Sequence, residues 1–150
     1  MFLGYWHDDE ATRDKFRGNY LITGDLGVED EAGFFRFVGR TDDLITSAGY
    51  RVGPGPIEDC ILRHPAVQFA AVVGVPDDMR TEIVKAFVVL KEGYQPDDEL
   101  TASIQTLVKT RLAAHEYPRA VCYVKSLPMT ATGKIVRRAL REHDGSQKSW

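Results

Sequence analysis

Two apolar runs separated by a short polar break constrain this chain more than any other feature. Val67 to Val75 and Ile83 to Leu90 are nearly continuous in valine, alanine, isoleucine and leucine. Runs of this kind fit strands covered on both faces rather than the half-wet strands that alternation marks. Pro76-Asp77-Asp78 reads as the turn between them. Before the pair, Leu44 to Ser47 and Tyr50 to Val52 flank Ala48-Gly49 as a small hairpin. Gly55-Pro56 then opens a helix, since proline at a first helical position has no donor to lose. Ile57, Cys60 and Ile61 share its face, and His64-Pro65 ends it, because the residue before proline avoids the helical region. Asp97 to His115 is the best helix, with Leu100, Ile104, Leu107, Val108 and Leu112 in one stripe and acidic residues in its first turn. Ala120 to Val124 reads as a third strand and Ile135 to about Glu142 as a basic amphipathic helix. The order strand, strand, helix, strand, helix predicts an α+β fold over residues 42–150, a small mixed sheet with flanking helices.

Residues 1–41 have a different character. Asp8 or Asp9 caps a short helix through Glu10 to Phe16, and Gly18-Asn19 breaks it. Tyr20 to Thr23 reads as a short strand, Gly24-Asp25-Leu26-Gly27 as turn-rich, and Glu29 to Gly33 as another turn. The aromatic strand Phe34 to Val38 follows. One hairpin with one helix buries little surface and is marginal alone in water. This segment is expected to be the edge of something larger.

Composition narrows the function. The 150 residues carry a formal net charge of −3, which argues against a nucleic-acid binder relying on a broad basic surface. No run of about 18 apolar residues occurs, so no membrane span is expected. The opening Met1 to Trp6 lacks the basic lead-in of a signal peptide, and a cytoplasmic location is expected. Cys60 and Cys122 read as buried free thiols. His7, His64, His115 and His143 show no zinc spacing, and no metal site is expected.

Chemistry points to the loops. Pro128-Met129-Thr130-Ala131-Thr132-Gly133-Lys134 reads as a flexible, hydroxyl-rich arm ending in a cation next to a glycine. Glycine allows close backbone approach, and lysine meets a phosphate or carboxylate as a compact point charge. A P-loop also ends in Gly-Lys, but here Ile135 follows the lysine and the earlier glycine of that pattern is absent. Arg137, Arg138 and Arg141 form a basic cluster with Lys134, either a solvated helix face or an attraction for a nucleotide phosphate. Asp25, between Gly24 and Gly27, is either a turn former or a bidentate acceptor for two ribose hydroxyls. Arg40 follows Gly39, where its planar fork suits the same nucleotide. Asp42-Asp43 reads as a turn cap or a hinge.

Taken in order, Thr23-Gly24-Asp25-Leu26-Gly27, Gly39-Arg40-Thr41-Asp42-Asp43-Leu44-Ile45, Gly49-Tyr50-Arg51-Val52, Pro56, Glu58 and Pro128 to Lys134 closely resemble the adenylate-forming superfamily. That superfamily includes acyl- and aryl-CoA synthetases, peptide-synthetase adenylation domains and firefly luciferase. Gly49 to Pro54, Val84 to Val89 and Tyr117-Pro118-Arg119 look most like medium-chain acyl-CoA synthetases. The resemblance implies that residues 1–41 are the tail of an N-terminal AMP-binding domain and residues 42–150 the mobile C-terminal domain. It implies ATP, magnesium (held mainly by that N-terminal domain) and CoA as the small molecules, and a fatty or other carboxylic acid as substrate. By the same resemblance Lys134 is catalytic, Asp25, Arg40 and Arg51 contact nucleotide, Asp42 is the hinge, and Gly49 and Tyr50 meet CoA. The separate chain is expected to be inactive as a ligase. A non-catalytic binding module of the same fold and an adenylation domain loading a carrier protein are the rival expectations. Gly53-Pro54-Gly55-Pro56 departs from the superfamily's usual polar residue before the proline.

Overall fold

A computed structural model describes residues 2–142. The chain divides into two compact units, Met1–Asp42 and Asp43–Trp150, and each is described by itself.

Unit 1 begins with α1 (Asp9–Asp14), whose cap Asp8 accepts the Ala11 N–H through its carboxylate at 2.9 Å. A two-residue ladder follows, β1 (Phe16–Arg17) against β2 (Tyr20–Leu21), turned by Gly18 at φ +61°. The antiparallel hairpin of β3 (Asp25–Glu29) and β4 (Phe35–Arg40) completes the unit. Here the structure corrects the expected turn at Gly24 to Gly27. Only Gly24 turns, at φ +81°, and Asp25 to Gly27 run extended, with a bulge between Leu26 and Gly27 absorbing the irregular register. The turn expected at Glu29 to Gly33 is found at Asp30 to Gly33, where the Asp30 carboxylate accepts from the Ala32 and Phe34 amides. None of residues 2–42 is buried, and Phe34, Phe35 and Phe37 stand largely exposed.

Unit 2 starts with the hairpin β5 (Ile45–Ser47) and β6 (Tyr50–Val52). Helix α2 (Pro54–Ile61) begins two residues before the expected Pro56. Both prolines fall in its first turn, where amide donors have no helical partner to lose. Strands β7 (Val67–Asp77) and β8 (Thr81–Leu90) pair antiparallel along their whole length, followed by α3 (Asp98–Arg111), β9 (Ala120–Tyr123) and α4 (Arg137–Arg141). The sheet runs β6-β5-β8-β7, and β9 adds to β8 in parallel, which makes it mixed. Pro76 lies inside β7, not in the turn. It is tolerated because β7 is an edge strand, while the Asp77 carboxylate accepts from the Met79 and Arg80 amides to form the turn itself.

Both faces of β7 and β8 are covered, and alternation sorts the side chains between them. Ala70, Val72, Val84, Ala86 and Val88 join Ile57, Ile61, Ile104 and Val108 of α2 and α3. Ala71, Val73, Phe87 and Val89 join Val124, Leu127 and Leu140 on the other side, with Ile135 against them. Gly74 leaves room for the Glu82 side chain where β7 passes it: a Cβ there would lie 2.8 Å from the Glu82 carboxylate, which would have to shift. That carboxylate accepts the Thr46 amide at 2.6 Å, tying β5 to β8. Cys60 is buried as expected, whereas Cys122 is only half-buried, because β9 is paired on one side alone.

His64 links α2 to α3. Its Nδ1 accepts the Ala66 N–H at 3.2 Å and its Nε2 meets Ser103 Oγ at 3.1 Å. An accepting Nδ1 requires the neutral ring, and burial holds the pKa below the ordinary 6.5. The unfolded chain therefore binds the proton more readily than the folded one, so this contribution is present above 6.5 and is lost as pH falls through the folded value. Thermal unfolding of the native chain and of His64→Gln is expected to converge as pH falls from about 7 to 5. A native advantage that grows on acidification is the contrary result.

Candidate functional site

In unit 1 the two ends of the β3–β4 hairpin meet. Asp25 pairs in register with Arg40, and Arg40 Nη1 donates to Asp25 Oδ1 at 3.0 Å. Arg40 Nε donates to Asp42 Oδ1 at 3.0 Å. The Gly24 carbonyl accepts from both the amide and the hydroxyl of Thr41, each at 2.8 Å. A Cβ at Gly24 would come within 3.0 Å of Arg40 Nη2, so the glycine keeps this corner narrow. The structure thus brings Asp25, Arg40 and Asp42 together as one carboxylate–guanidinium–carboxylate chain. These pairs are about half exposed, with side chains at 44% to 66%, and surface pairs of this kind add little stability. The Asp25 side chain stays about half exposed beside Arg40.

In unit 2, Gly49 sits at the tip of the β5–β6 hairpin at φ +84°, after Ala48 at φ +50°. Two consecutive positive values make the tight hairpin turn for which Gly is suited. A Cβ at Gly49 would meet nothing within 4 Å. The glycine is needed for its backbone angle, and the space beside it is open. Tyr50 follows and lies flat on His115, with ring centroids 4.0 Å apart and planes at 12°. His115 is free to stack because α3 stops at Arg111, short of the expected end, and Leu112 turns to extended backbone. The Glu116 carboxylate then accepts the Ala113 amide at 2.7 Å. His115 is a site neighbour that scattered histidine positions did not reveal. Arg51 is exposed on β6, opposite Thr46.

Lys134 occupies a built turn, not the flexible arm expected from its threonines and glycine. Met129 and Ile135 bridge antiparallel, the Thr130 amide donates to the Lys134 carbonyl at 2.8 Å, and the Gly133 amide donates to the Thr130 carbonyl at 2.9 Å. The Thr130 hydroxyl accepts the Lys134 amide at 3.1 Å, and Gly133 takes φ +79°. The threonines are spent on the turn. Lys134 itself is exposed, and among the described residues its ammonium has no ion-pair partner.

The basic cluster is resolved residue by residue. Arg137 Nη2 donates to both oxygens of Glu58 at 2.8 Å, and its Nη1 donates to Asp43 Oδ2 at 3.4 Å. Arg141 Nη2 donates to Asp43 Oδ1 at 3.0 Å. Arg138 lies on the most solvated face, paired with Glu142 one turn along α4. Arg137 and Arg141 are therefore committed to carboxylates of their own unit and form no free basic patch. α4 begins at Arg137, two residues after the expected Ile135, because Ile135 belongs to the Lys134 turn.

Among the described residues no three His, Cys, Asp or Glu side chains converge as a metal site, and no helix is long and apolar enough to cross a membrane. A groove of about 730 Å³ along β9 and Tyr94 to Pro96 is lined by none of Asp25, Arg40, Asp42, Gly49, Tyr50, Arg51 and Lys134.

Comparison with known proteins shows the family. The pattern of the AMP-binding enzyme C-terminal domain matches residues 56–134. 4-Hydroxybutyrate–CoA ligase 1 of Metallosphaera sedula is 47% identical over 148 residues, 99% of this chain and 26% of that protein. The mitochondrial acyl-coenzyme A synthetase ACSM2B of Homo sapiens is 43% identical over 146 residues, 96% of this chain and 25% of that protein. Among solved structures, ATP-bound MatB from Rhodopseudomonas palustris superposes with a TM-score of 0.85 at 36% identity, over 97% of this chain and 28% of that one. The chain spans about a quarter of the length of the curated relatives it matches. It belongs to the AMP-binding enzyme C-terminal domain family.

Proposed function

We propose that this chain is the C-terminal part of an acyl-CoA synthetase working with an N-terminal AMP-binding domain. A carboxylate oxygen of the acid attacks the α-phosphorus of ATP, the bond to pyrophosphate breaks, and acyl-AMP forms with magnesium assisting. The CoA thiol sulfur then attacks the acyl carbonyl and AMP leaves. The observation that carries this reading is Lys134, an exposed ammonium without an ion-pair partner among the described residues, presented by a hydrogen-bonded turn inside a fold of this family. The relatives named as CoA ligases and synthetases support the same chemistry, and the exposed phenylalanines of unit 1 support a larger domain around it. On this reading the 150 residues alone form no acyl-adenylate.

Each remaining residue then has a task. Asp25 accepts from the ribose hydroxyls with one carboxylate edge while Arg40 orients it and meets the nucleotide. Arg51 approaches phosphate. Asp42 absorbs the backbone rotation that exchanges the Lys134 turn for the Gly49 hairpin between half-reactions. Gly49 leaves open the passage for the pantetheine arm, with Tyr50 beside it.

Gly49→Leu separates the two steps. Leucine at φ +84° is strained by about 1–2 kcal/mol and projects into the open space beside the hairpin. In an enzyme joining this chain to an N-terminal AMP-binding domain, thioester formation from supplied acyl-AMP is expected to fall on the order of 100-fold. Acid-dependent exchange of pyrophosphate into ATP is expected to stay within about threefold. Loss of that exchange would remove Gly49 from the CoA path.

A further inference from the structure

The carboxylate–guanidinium chain of unit 2 ties together parts that are far apart in sequence. Asp43, covalently next to Asp42, binds both Arg137 and Arg141 of α4. Arg137 also grips Glu58 of α2, and Glu58 Oε1 accepts the Val72 amide from the open edge of β7 at 2.8 Å. The Arg137, Glu58 and Asp43 side chains are 21%, 13% and 16% exposed, so water screens them far less than it screens the Arg40 pairs. Arg137 stands three positions after Lys134. Between them, Ile135 closes the turn against Met129, and the Val136 amide donates to the Pro128 carbonyl at 2.8 Å.

From this we infer that Asp43, Glu58, Arg137 and Arg141 are positioning residues. They lock the Lys134 turn to the first residue of unit 2, so that a rotation at Asp42 carries Lys134 as part of one stiff body. A lysine on a slack arm would spread over many positions after each swing, and a catalytic cation has to be within a fraction of an ångström of its place. The Arg137 fork supplies direction as well as attraction, because Nη2 donates to both Glu58 oxygens while Nη1 donates to Asp43, two carboxylates held at the fixed spacing of one planar group. Lysine at 137 would keep the charge and lose the second nitrogen that joins Asp43 to Glu58. The inference rests on the reading of Lys134 as the adenylation cation.

Hydrogen exchange on this chain tests the mechanical part. Arg137→Met is expected to speed exchange of the Thr130, Gly133 and Lys134 amides roughly 10- to 100-fold. The Ala71, Val73 and Phe87 amides in the paired strands should change by no more than about twofold. Unchanged exchange at the turn, or an equal rise throughout unit 2, overturns the inference. Should Arg137→Met unfold the unit, Asp43→Asn carries the same comparison, since it keeps an acceptor oxygen and leaves the Glu58 contact intact. In an enzyme with the N-terminal domain, Arg137→Met should lower kcat for adenylation about 10- to 100-fold, spare thioester formation, and cost nothing more once Lys134→Ala is present. Additive losses overturn the inference. Full adenylation by Lys134→Ala would instead overturn the role given to Lys134, with the exchange result left standing.

Discussion

Lys134→Ala is expected to slow acyl-adenylate formation about 100- to 1000-fold in an enzyme that carries this chain behind its N-terminal domain. The α-phosphoryl group gathers negative charge as the carboxylate attacks, and a fixed cation lowers that barrier most when it needs no rearrangement to meet it. The turn provides the fixing: its Thr130 and Gly133 bonds hold the backbone, and nothing among the described residues competes for the ammonium. Lys134→Arg should recover only part of the rate, since a broad planar fork does not replace a compact point charge. Thioester formation from supplied acyl-AMP should change by less than about threefold, because the proposed reading gives that step to the Gly49 hairpin. Pyrophosphate exchange and thioester release, measured separately, decide it. Equal losses in both would assign Lys134 a general role in the fold.

Phe87→Ala is expected to destabilise unit 2 by about 3–5 kcal/mol, read from urea or thermal unfolding. Phe87 is wholly buried, and its cluster joins β7 and β8 to Val124, Leu127 and Leu140, with Ile135 beside it. The strand pair is hydrogen-bonded on both sides of this position, so collapse around the missing ring is restricted and a cavity remains. The same face carries the segment next to Lys134, so adenylation should fall further than the lost stability alone explains. A cost below about 1 kcal/mol would mean that the second face of the sheet is not a packed core. Phe87→Leu should cost much less, since it fills most of the volume.

The unbroken apolar runs foretold strands covered on both faces, and the covering clusters bear this out. The amphipathic stripe of α3 was legible because Ile104 and Val108 recur at helical spacing, and both are fully buried. Its C-terminal end was not. Leu112 continues the apolar stripe, yet the helix stops at Arg111, and the Glu116 carboxylate holds the loop that brings His115 onto Tyr50. Gly24 to Gly27 misled because glycine signals a turn, while only Gly24 takes a positive φ and the bulged ladder keeps Gly27 extended. Pro76 misled for a related reason: its place on an edge strand is a property of the sheet and not of the residue.

Sequence alone determined the α+β composition of unit 2, the family to which the chain belongs, and the residue types available for anionic chemistry. Local rules suffice for these, because periodicity, capping and motif order are written in neighbouring residues. The tertiary structure alone decided which charges are spent and which are free. Arg137 and Lys134 looked alike in one basic cluster, yet Arg137 is bound by Glu58 and Asp43, 79 and 94 positions away, while Lys134 is exposed and has no ion-pair partner among the described residues. A charge's partner is set by distance in space, and contacts across so many residues are fixed only when the sheet and its two covering layers are assembled.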